Sequence, residues 1–253
     1  MSRLITRRKV LTGLAMGAPA VLMGCDRLGN SPSFREMVLS SGEWLSYRVQ
    51  RLIAPNALAR EYDPSDMSPN FRTNGNTNPR SADYRRHTAQ GFADWRLHLD
   101  GLVERPRALS LAELRAYPAR TQITRHDCVE GWSAIGQWTG VPLGVLLDEV
   151  QLQGHARYLV FHCADDFSGR SYYESIDLID AYHPQTILAY DMNDAVLPVP
   201  HGAPLRLRVE RQLGYKHAKY VMRIEAVASL SGIGRGRGGY WEDAGYYDWY
   251  AGI

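Results

Sequence analysis

The stretch Thr124-Arg-His-Asp-Cys128-Val-Glu-Gly-Trp-Ser133 places a single cysteine among polar residues. His126 and Asp127 precede Cys128, and Glu130 follows it. A structural cysteine usually lies in an apolar run, whereas a thiolate that binds a metal needs neighbours that stabilise its charge or donate hydrogen bonds to it. The stretch therefore marks Cys128 as a candidate metal ligand, with a buried spectator thiol as the alternative.

A second segment, from Pro200 to Lys219, concentrates positive charge. Six cationic or protonatable side chains fall within fourteen residues, namely Arg206, Arg208, Arg211, Lys216, His217 and Lys219. Such a cluster is either a solvated strand face or a binding site for an anion. The residues alone leave both alternatives open.

Strands and short helices alternate along the chain without regular βαβ spacing. Alternating apolar and polar residues predict strands around Leu97 and Leu207, and the apolar run Tyr158–Cys163 predicts a buried strand. Ser110-Leu-Ala-Glu113 is a capping box that predicts a helix closed by Pro118. The expected class is α+β, with mixed, mostly antiparallel sheets and short helices.

The composition argues against a nucleic-acid partner. The formal charge of +2 comes from residues 1–24, which hold four basic residues and no acidic one. The rest of the chain has a slight excess of acid, so it lacks the basic footprint of a nucleic-acid-binding protein. With 45% hydrophobic residues, the 253-residue chain has enough apolar mass for a core.

The N-terminus is predicted to be a targeting segment. Arg7-Arg8 precede a modest apolar run, as in twin-arginine signals, which carry folded proteins. The run ends at Leu22-Met-Gly-Cys25, which resembles a bacterial lipobox, with a plain signal peptide as the alternative. We expect a signal over 1–24, a lead-in over 25–60 and the main domain over 61–253. The mature protein would face the periplasm, anchored to the inner membrane by lipidated Cys25.

The cysteine stretch and the segment from Pro200 to Lys219 together resemble the molybdenum domain of the sulfite oxidase family. The form Cys128-Val-Glu-Gly-Trp-Ser133 is most similar to the periplasmic methionine-sulfoxide reductase branch of that family. The resemblance covers about residues 60–253. It implies the sulfite oxidase molybdopterin-domain fold and a molybdenum–molybdopterin cofactor, held by one cysteine thiolate and a cationic pocket.

The resemblance also implies roles for individual residues. Cys128 matches the metal ligand, and Tyr172 matches an active-site tyrosine. The positions matching cofactor contacts are Asn74, Cys128, Cys163, His201, Arg206, His217, Ala218 and Lys219. The last three match the run that grips the phosphate end of the pterin. A turn at Asn74-Gly75, core packing of Cys163 and a surface position for Tyr172 remain alternatives.

Departures from the family pattern bear on the substrate. Thr73 and Ser133 stand where sulfite oxidases carry arginines that bind the sulfite dianion. The resemblance therefore implies two-electron oxygen-atom transfer that reduces a small S- or N-oxide, with a sulfite-type dehydrogenase as the alternative. Without a nicotinamide or flavin motif, electrons would come from a separate partner, by family analogy a membrane b-type cytochrome. The chain is expected to be a monomer.

Two rival interpretations come from other motifs. A non-catalytic lipoprotein could bind zinc or copper through His126, Cys128, His162 and Cys163, although these spacings are irregular for structural zinc. The run from Gly234 to Gly239 formally satisfies a dinucleotide-binding motif. It is rejected because only fourteen residues follow it, too few for a βαβ unit.

Overall fold

The computed structural model describes residues 31–53, 56–167 and 169–253. The described chain divides into two compact units, one ending at Val49 and the other comprising Gln50–Ile253. Helix α1 (Pro32–Ile53) forms nearly all of the described part of the first unit, and its last four residues belong to the second. No helix within the described ranges is long and apolar enough to cross a membrane. The predicted signal with Arg7-Arg8, and Cys25, lie outside the described residues.

Ten strands in the described part of the second unit form two sheets. They are β1 (Leu97–Gly101), β2 (Arg107–Leu109), β3 (Arg120–Cys128), β4 (Trp132–Pro142), β5 (Tyr158–Phe167), β6 (Arg170–Asp177), β7 (Ile187–Met192), β8 (Ala195–Val196), β9 (Arg206–Arg208) and β10 (Val221–Val227). In the first sheet the order is β2-β1-β10-β5-β6, and β1 runs parallel to β10. In the second the order is β3-β4-β7-β8, with β9 also pairing with β7. The other recorded strand pairs are antiparallel, so the predicted α+β class is confirmed.

Short helices connect the strands. They are α2 (Ala82–Ala89), α3 (Leu111–Ala116), α4 (Leu143–Val150), α5 (Leu178–Ala181) and α6 (Tyr240–Asp243). The predicted capping box starts α3: the Glu113 backbone N–H donates to Ser110 Oγ at 3.2 Å, and the Ser110 N–H donates to Glu113 Oε2 at 2.8 Å. Two backbone donors at the start of the helix are thereby satisfied locally, which fixes where it begins.

A tight hairpin joins β3 to β4 and positions the cysteine. Cys128 pairs with Trp132 across a three-residue loop, and the Gly131 N–H donates to the Cys128 carbonyl at 3.0 Å. Gly131 has φ +85°, a left-handed conformation that a residue without a Cβ adopts at little cost. The predicted polar loop is therefore a strand end, with Cys128 as its last residue.

The interior face of β3 is polar. Gln122, Thr124, His126 and Cys128 alternate as its buried residues. Arg208 of β9 donates to His126 and Thr124 from across this face. Arg206 and Arg208 are both 0% exposed, so a solvated strand face is wrong for these two members of the cationic cluster. The short strand β9, which carries both arginines, is buried on both faces.

Candidate active site

A cleft lies at the Cys128 end of the β3–β4 hairpin. It encloses about 590 Å³, including its open mouth. The lining residues are Asn74, Gly75, Asn76, Cys128, Val129, Glu130, Asp165, Phe167, Tyr172, Gly214, Tyr215, His217, Lys219, Trp241 and Tyr247. Five of the predicted site residues are thus brought together in the cleft wall: Asn74, Cys128, Tyr172, His217 and Lys219.

The thiol of Cys128 occupies the inner part of this wall. It is 9% exposed, and its burial raises the pKa of the thiol, while the positive charges of Arg206 and Lys219 act in the opposite direction. Glu130, two residues further on, accepts hydrogen bonds from the Gly75 N–H at 3.3 Å and from Trp132 Nε1 at 3.1 Å. The carboxylate thus joins the hairpin loop to the segment that carries Asn74.

Arg206 is a buried cation whose charge is not compensated locally. Its Nη1 donates to the His201 carbonyl at 3.1 Å, but Nε and Nη2 have no hydrogen-bond partner among the described residues. Burial and, to a smaller extent, the charge of the neighbouring Arg208 lower the pKa of Arg206 to about 9. Burying an unpaired charge costs several kcal/mol, so this side chain suits an anionic ligand that would pair with it.

His126 and His217 are two histidines beside Arg206. Their hydrogen-bond partners indicate which ring nitrogen of each carries the proton. Arg208 can only donate, so His126 Nδ1 accepts its hydrogen bond at 3.0 Å and the ring proton lies on Nε2. His217 Nε2 lies 3.0 Å from the Gln212 carbonyl, which places its ring proton there. The remaining nitrogens, His126 Nε2 and His217 Nδ1, have no partner in the described chain. The pair therefore offers one unused donor and one unused acceptor.

The unsatisfied atoms around Cys128 form a coherent set. Asn74 Oδ1, His126 Nε2, Asp165 Oδ1, His201 Nδ1, Arg206 Nε and Nη2, and His217 Nδ1 are all buried without a partner within the described ranges. Native proteins satisfy nearly all such atoms, so a concentration of them in one place points to a polar ligand. A pterin with a phosphate presents both donors and acceptors and carries negative charge. The residues present therefore fit the molybdopterin that the sequence implied.

Lys219 connects the loops that frame the cleft. Its ammonium donates to the carbonyls of Asn74 at 2.8 Å, Asn76 at 2.6 Å and Pro200 at 2.8 Å. Burial and, to a smaller extent, the charge of Arg206 lower the pKa of Lys219 to about 7. All three ammonium protons are thus engaged in fixing the loops that frame the cleft. The expected grip on a phosphate is not evident in this geometry.

Tyr172 lies in the cleft wall and not on the surface. It is 7% exposed, and its hydroxyl donates to the Tyr215 carbonyl at 2.8 Å. Burial raises the pKa of this phenol well above its usual value, with Glu174 and Glu242 adding to the shift. The ring packs against Phe167 and Tyr240. The phenol proton is therefore committed to the protein backbone.

The remaining predicted residues lie outside the cleft lining. Cys163 and Ala218 are packed in the apolar core, and His201 and Arg206 stand behind the wall. Cys128 and Cys163 are both free thiols. His162 points elsewhere, with its Nε2 2.9 Å from Glu225 Oε2. Within the described ranges no three His, Cys, Asp or Glu side chains converge on a metal site, so the zinc or copper alternative finds no ligand set.

Several cleft residues were missed by the sequence analysis. Asp165, Tyr215, Trp241 and Tyr247 come from three separate segments, and no local motif distinguishes them. The Gly-rich run before α6 also has a structural task. Backbone N–H groups of Arg235 and Arg237 donate to the Asp243 carboxylate at 2.6 and 2.9 Å. This glycine pattern therefore encloses a carboxylate of its own chain.

Comparison with known proteins agrees with this geometry. The family model for the oxidoreductase molybdopterin binding domain matches residues 85–231. The putative protein-methionine-sulfoxide reductase subunit YedZ1 of Azospira oryzae is 37% identical over 242 residues, covering 94% of this chain and 84% of that protein. The protein-methionine-sulfoxide reductase catalytic subunit MsrP of Ralstonia nicotianae is 36% identical over 53% of this chain. That match spans only 44% of the MsrP protein.

Among solved structures, the sulfane dehydrogenase SoxCD from Paracoccus pantotrophus is similar to this chain with a TM-score of 0.49 and 26% sequence identity. The similarity covers 54% of this chain and 39% of that one. The family match over more than half of the sequence and the relative aligned along nearly all of it agree on the kind of protein. The chain belongs to the sulfite oxidase family of molybdopterin-binding oxidoreductases and is a molybdopterin-dependent enzyme.

Proposed function

We propose that this enzyme reduces a small sulfoxide or a related N-oxide by two-electron oxygen-atom transfer on the periplasmic side of the membrane. The observation that carries the proposal is the character of the cleft wall beside Cys128. Five aromatic residues line it: Phe167, Tyr172, Tyr215, Trp241 and Tyr247. Two relatives whose names describe methionine-sulfoxide reductases support the same substrate class.

The charges in the cleft disfavour a dianionic substrate. Sulfite would meet the carboxyl groups of Glu130 and Asp165, and the ammonium of Lys219 is engaged by backbone carbonyls. A desolvated dianion without cationic partners costs several kcal/mol. A neutral sulfoxide avoids this cost, and contacts between sulfur and aromatic rings contribute about 0.3–1.5 kcal/mol each. The wall therefore suits a neutral sulfur compound better than sulfite.

The protein's own residues would bind and orient the cofactor and the substrate. When bound, the molybdenum centre supplies the change of oxidation state that oxygen-atom transfer requires. Cys128 would provide the thiolate ligand. Arg206 and His126 Nε2 would pair with electron-rich atoms of the pterin, and His217 Nδ1 would accept from one of its N–H groups. Tyr172 and Trp241 would hold the substrate in the aromatic part of the cleft.

The remaining predicted contacts are kept as part of the proposal. Asn74 and His201 contribute unsatisfied atoms near Arg206, and the buried Cys163 and Ala218 support the wall from behind. Lys219 would act by fixing the surrounding loops. Replacing these residues singly and measuring pterin per polypeptide would rank their contributions, with the largest loss expected for Arg206→Ala.

The test is a turnover screen with reduced viologen as electron donor. Protein from a molybdenum-replete host should contain molybdenum and pterin and should reduce at least one sulfoxide or N-oxide, while sulfite oxidation is slow. Cys128→Ala should abolish turnover but keep pterin. Val196→Ala, an exposed change on β8 outside the cleft lining, is the control and should keep activity. Efficient sulfite oxidation with a low KM, or protein without molybdenum and pterin, would contradict the proposal.

Targeting and the electron donor belong to the same proposal. We expect residues 1–24 to act as a twin-arginine signal, Cys25 to be lipidated and a separate membrane b-type cytochrome to deliver electrons. Replacing Arg7 and Arg8 by lysine should retain the protein in the cytoplasm, and Cys25→Ala should release the mature chain from membranes. A soluble wild-type chain that begins at another residue would remove the lipoprotein part.

A further inference from the structure

Asp165 is a buried carboxyl group in the wall of the cleft. It is 4% exposed and lies on β5, where the pairing with β6 is irregular between His162 and Asp166. It lines the same cleft as Cys128 and Tyr172. Its Oδ1 has no hydrogen-bond partner in the described residues, and no ion pair to this carboxyl is found there. The Oδ1 atom of this carboxyl group therefore lies in the cleft wall without a hydrogen bond from the described residues.

The hydrogen-bond donors around Asp165 donate to backbone carbonyls and not to its carboxyl group. Charged or titratable neighbours that influence it or are influenced by it are Lys219, Asp166, Tyr84, Tyr220, Tyr172 and Cys163. Tyr84 donates to the Ala203 carbonyl at 2.6 Å, and Tyr220 donates to the Asn76 carbonyl at 2.9 Å. Tyr172 and Lys219 are engaged with backbone carbonyls, as described above. Asp166 is exposed and carries the same sign of charge.

This environment favours the neutral acid. A carboxylate removed from water is stable only with donors or cations in contact, and the neighbouring donors are committed to other acceptors. Burial raises the pKa of Asp165 to about 7, although the positive charge of Lys219 acts in the opposite direction. The group can therefore hold a proton near neutral pH and release it within the cleft.

We propose that Asp165 is the proton donor of the cleft for the departing substrate oxygen. The inference deepens the proposed function and rests on it. Reduction of a sulfoxide consumes two electrons and two protons, breaks the sulfur–oxygen bond and yields a thioether and water. Two equivalents of reduced viologen supply the electrons in the assay. Asp165 delivers one proton from its carboxyl group, solvent delivers the other, and Asp165 is then reprotonated from water.

The other acidic or phenolic groups of the lining are less suited to this task. Glu130 accepts hydrogen bonds from the Gly75 N–H and from Trp132 Nε1, so both of its carboxyl oxygens already have protein donors. The Tyr172 proton is shared with the Tyr215 carbonyl, and its raised pKa makes the phenol a weak acid. Among the lining residues described, Asp165 combines a place in the cleft wall with a buried carboxyl oxygen, Oδ1, that accepts no hydrogen bond.

Three variants test the proposal on the molybdenum-loaded enzyme. Asp165→Asn keeps the shape but cannot donate a carboxylic proton, so kcat per molybdenum should fall by about 100-fold or more. Asp165→Glu should recover part of this loss. Asp166→Asn, an exposed neighbour on the same strand, is the matched control and should keep the wild-type kcat. Molybdenum content should be unchanged in all three.

The pH profile separates a proton donor from a structural role. Because the protonated acid is the active form, wild-type kcat should fall as pH rises through about 7. The kcat of Asp165→Asn should lack this decrease with rising pH. If Asp165→Asn keeps the wild-type kcat and its decrease with rising pH, the proposal is overturned. So would one that loses molybdenum in proportion to its activity.

Infrared spectroscopy supplies a measurement that needs no substrate. The carbonyl band of a protonated carboxyl group should disappear as pH rises through about 7 and should be missing from Asp165→Asn. If wild-type enzyme reduces no sulfoxide or N-oxide, the proposed function fails. The band then still supports Asp165 as the acid of the cleft, whereas its absence from wild-type protein overturns the inference.

Discussion

Two fully buried cations in this enzyme have opposite surroundings. Lys216 donates to Glu174 Oε1 and, at 3.0 Å, to Glu242 Oε1, and all three side chains are at most 1% exposed. Arg206 is buried to the same degree, but its Nε and Nη2 have no partner in the described part of the chain. Two carboxylates of the protein compensate the charge of Lys216. Arg206 has no such partner in the described part of the chain and suits an anionic ligand.

The difference separates a structural region from a binding region. Lys216 and Glu242 lie next in sequence to the cleft residues Tyr215 and Trp241, and Glu174 lies two residues after Tyr172, so the group supports the aromatic wall. A buried charge that has partners contributes to a specific packing arrangement, whereas one without partners reduces stability until a counter-charge arrives. The cofactor-free enzyme should therefore be stabilised through Arg206 when the cofactor binds.

The largest effect on folding is expected from Lys216→Met. This change leaves Glu174 and Glu242 buried beside each other without a cation, so the free energy of unfolding should fall by about 3–5 kcal/mol. Urea denaturation of cofactor-free protein measures it. Adding Glu174→Gln to the variant should restore part of the loss. A decrease no larger than that of an ordinary surface substitution would break the distinction between the two cations.

Arg206→Met should have a different effect, because it leaves behind the His201 carbonyl but no buried carboxylate among the described residues. The free energy of unfolding of cofactor-free protein should stay level or rise by about 1–4 kcal/mol, while pterin content falls. Arg208→Met is the matched control: Arg208 Nη2 donates to Glu210 at 2.6 Å, so its loss leaves a buried carboxylate and destabilises the protein. Equal destabilisation by both changes would show that Arg206 has partners of its own.

His201 predicts a pH dependence on the binding side. Burial lowers its pKa from 6.5 to about 4, with Arg206 adding to the shift. Between these values the unfolded chain binds more protons, so this residue makes cofactor-free protein less stable as pH falls through that window. His201→Asn should flatten the decrease in unfolding free energy measured by urea titrations across it. An unchanged slope would contradict the assignment.

The smallest effect is expected from Tyr172→Phe, at the boundary between the two regions. The change removes the 2.8 Å hydrogen bond to the Tyr215 carbonyl and should cost about 0.5–1.5 kcal/mol of stability. Turnover should weaken less than in Asp165→Asn, since the Tyr172 proton is already shared with the backbone. A loss as large as that of Asp165→Asn would give the phenol a direct chemical role.

Much of the fold followed from local pattern. The capping box at Ser110 and Glu113 predicts a helix that the structure confirms, because its hydrogen bonds are formed within four residues. The apolar run Tyr158–Cys163 lies on β5, and the alternation around Leu97 lies on β1. The hairpin at Cys128 was missed because β3 carries mostly polar residues on its buried face, which removes the usual alternation signal.

The sequence by itself determined the class, the family and the cysteine at the centre of the site. These follow from residue order: Cys128 in its polar stretch, Arg206 in the cationic segment and short-range helix and strand signals. Only the tertiary structure decided which charges are compensated, because partners such as Glu174 and Lys216 are 42 positions apart. It likewise left Asp165 Oδ1 without a hydrogen-bond partner among the described residues. It also brought Lys219 into hydrogen-bond contact with the carbonyl of Asn74, 145 positions away. Charge compensation depends on contacts across the fold, which a linear pattern does not specify.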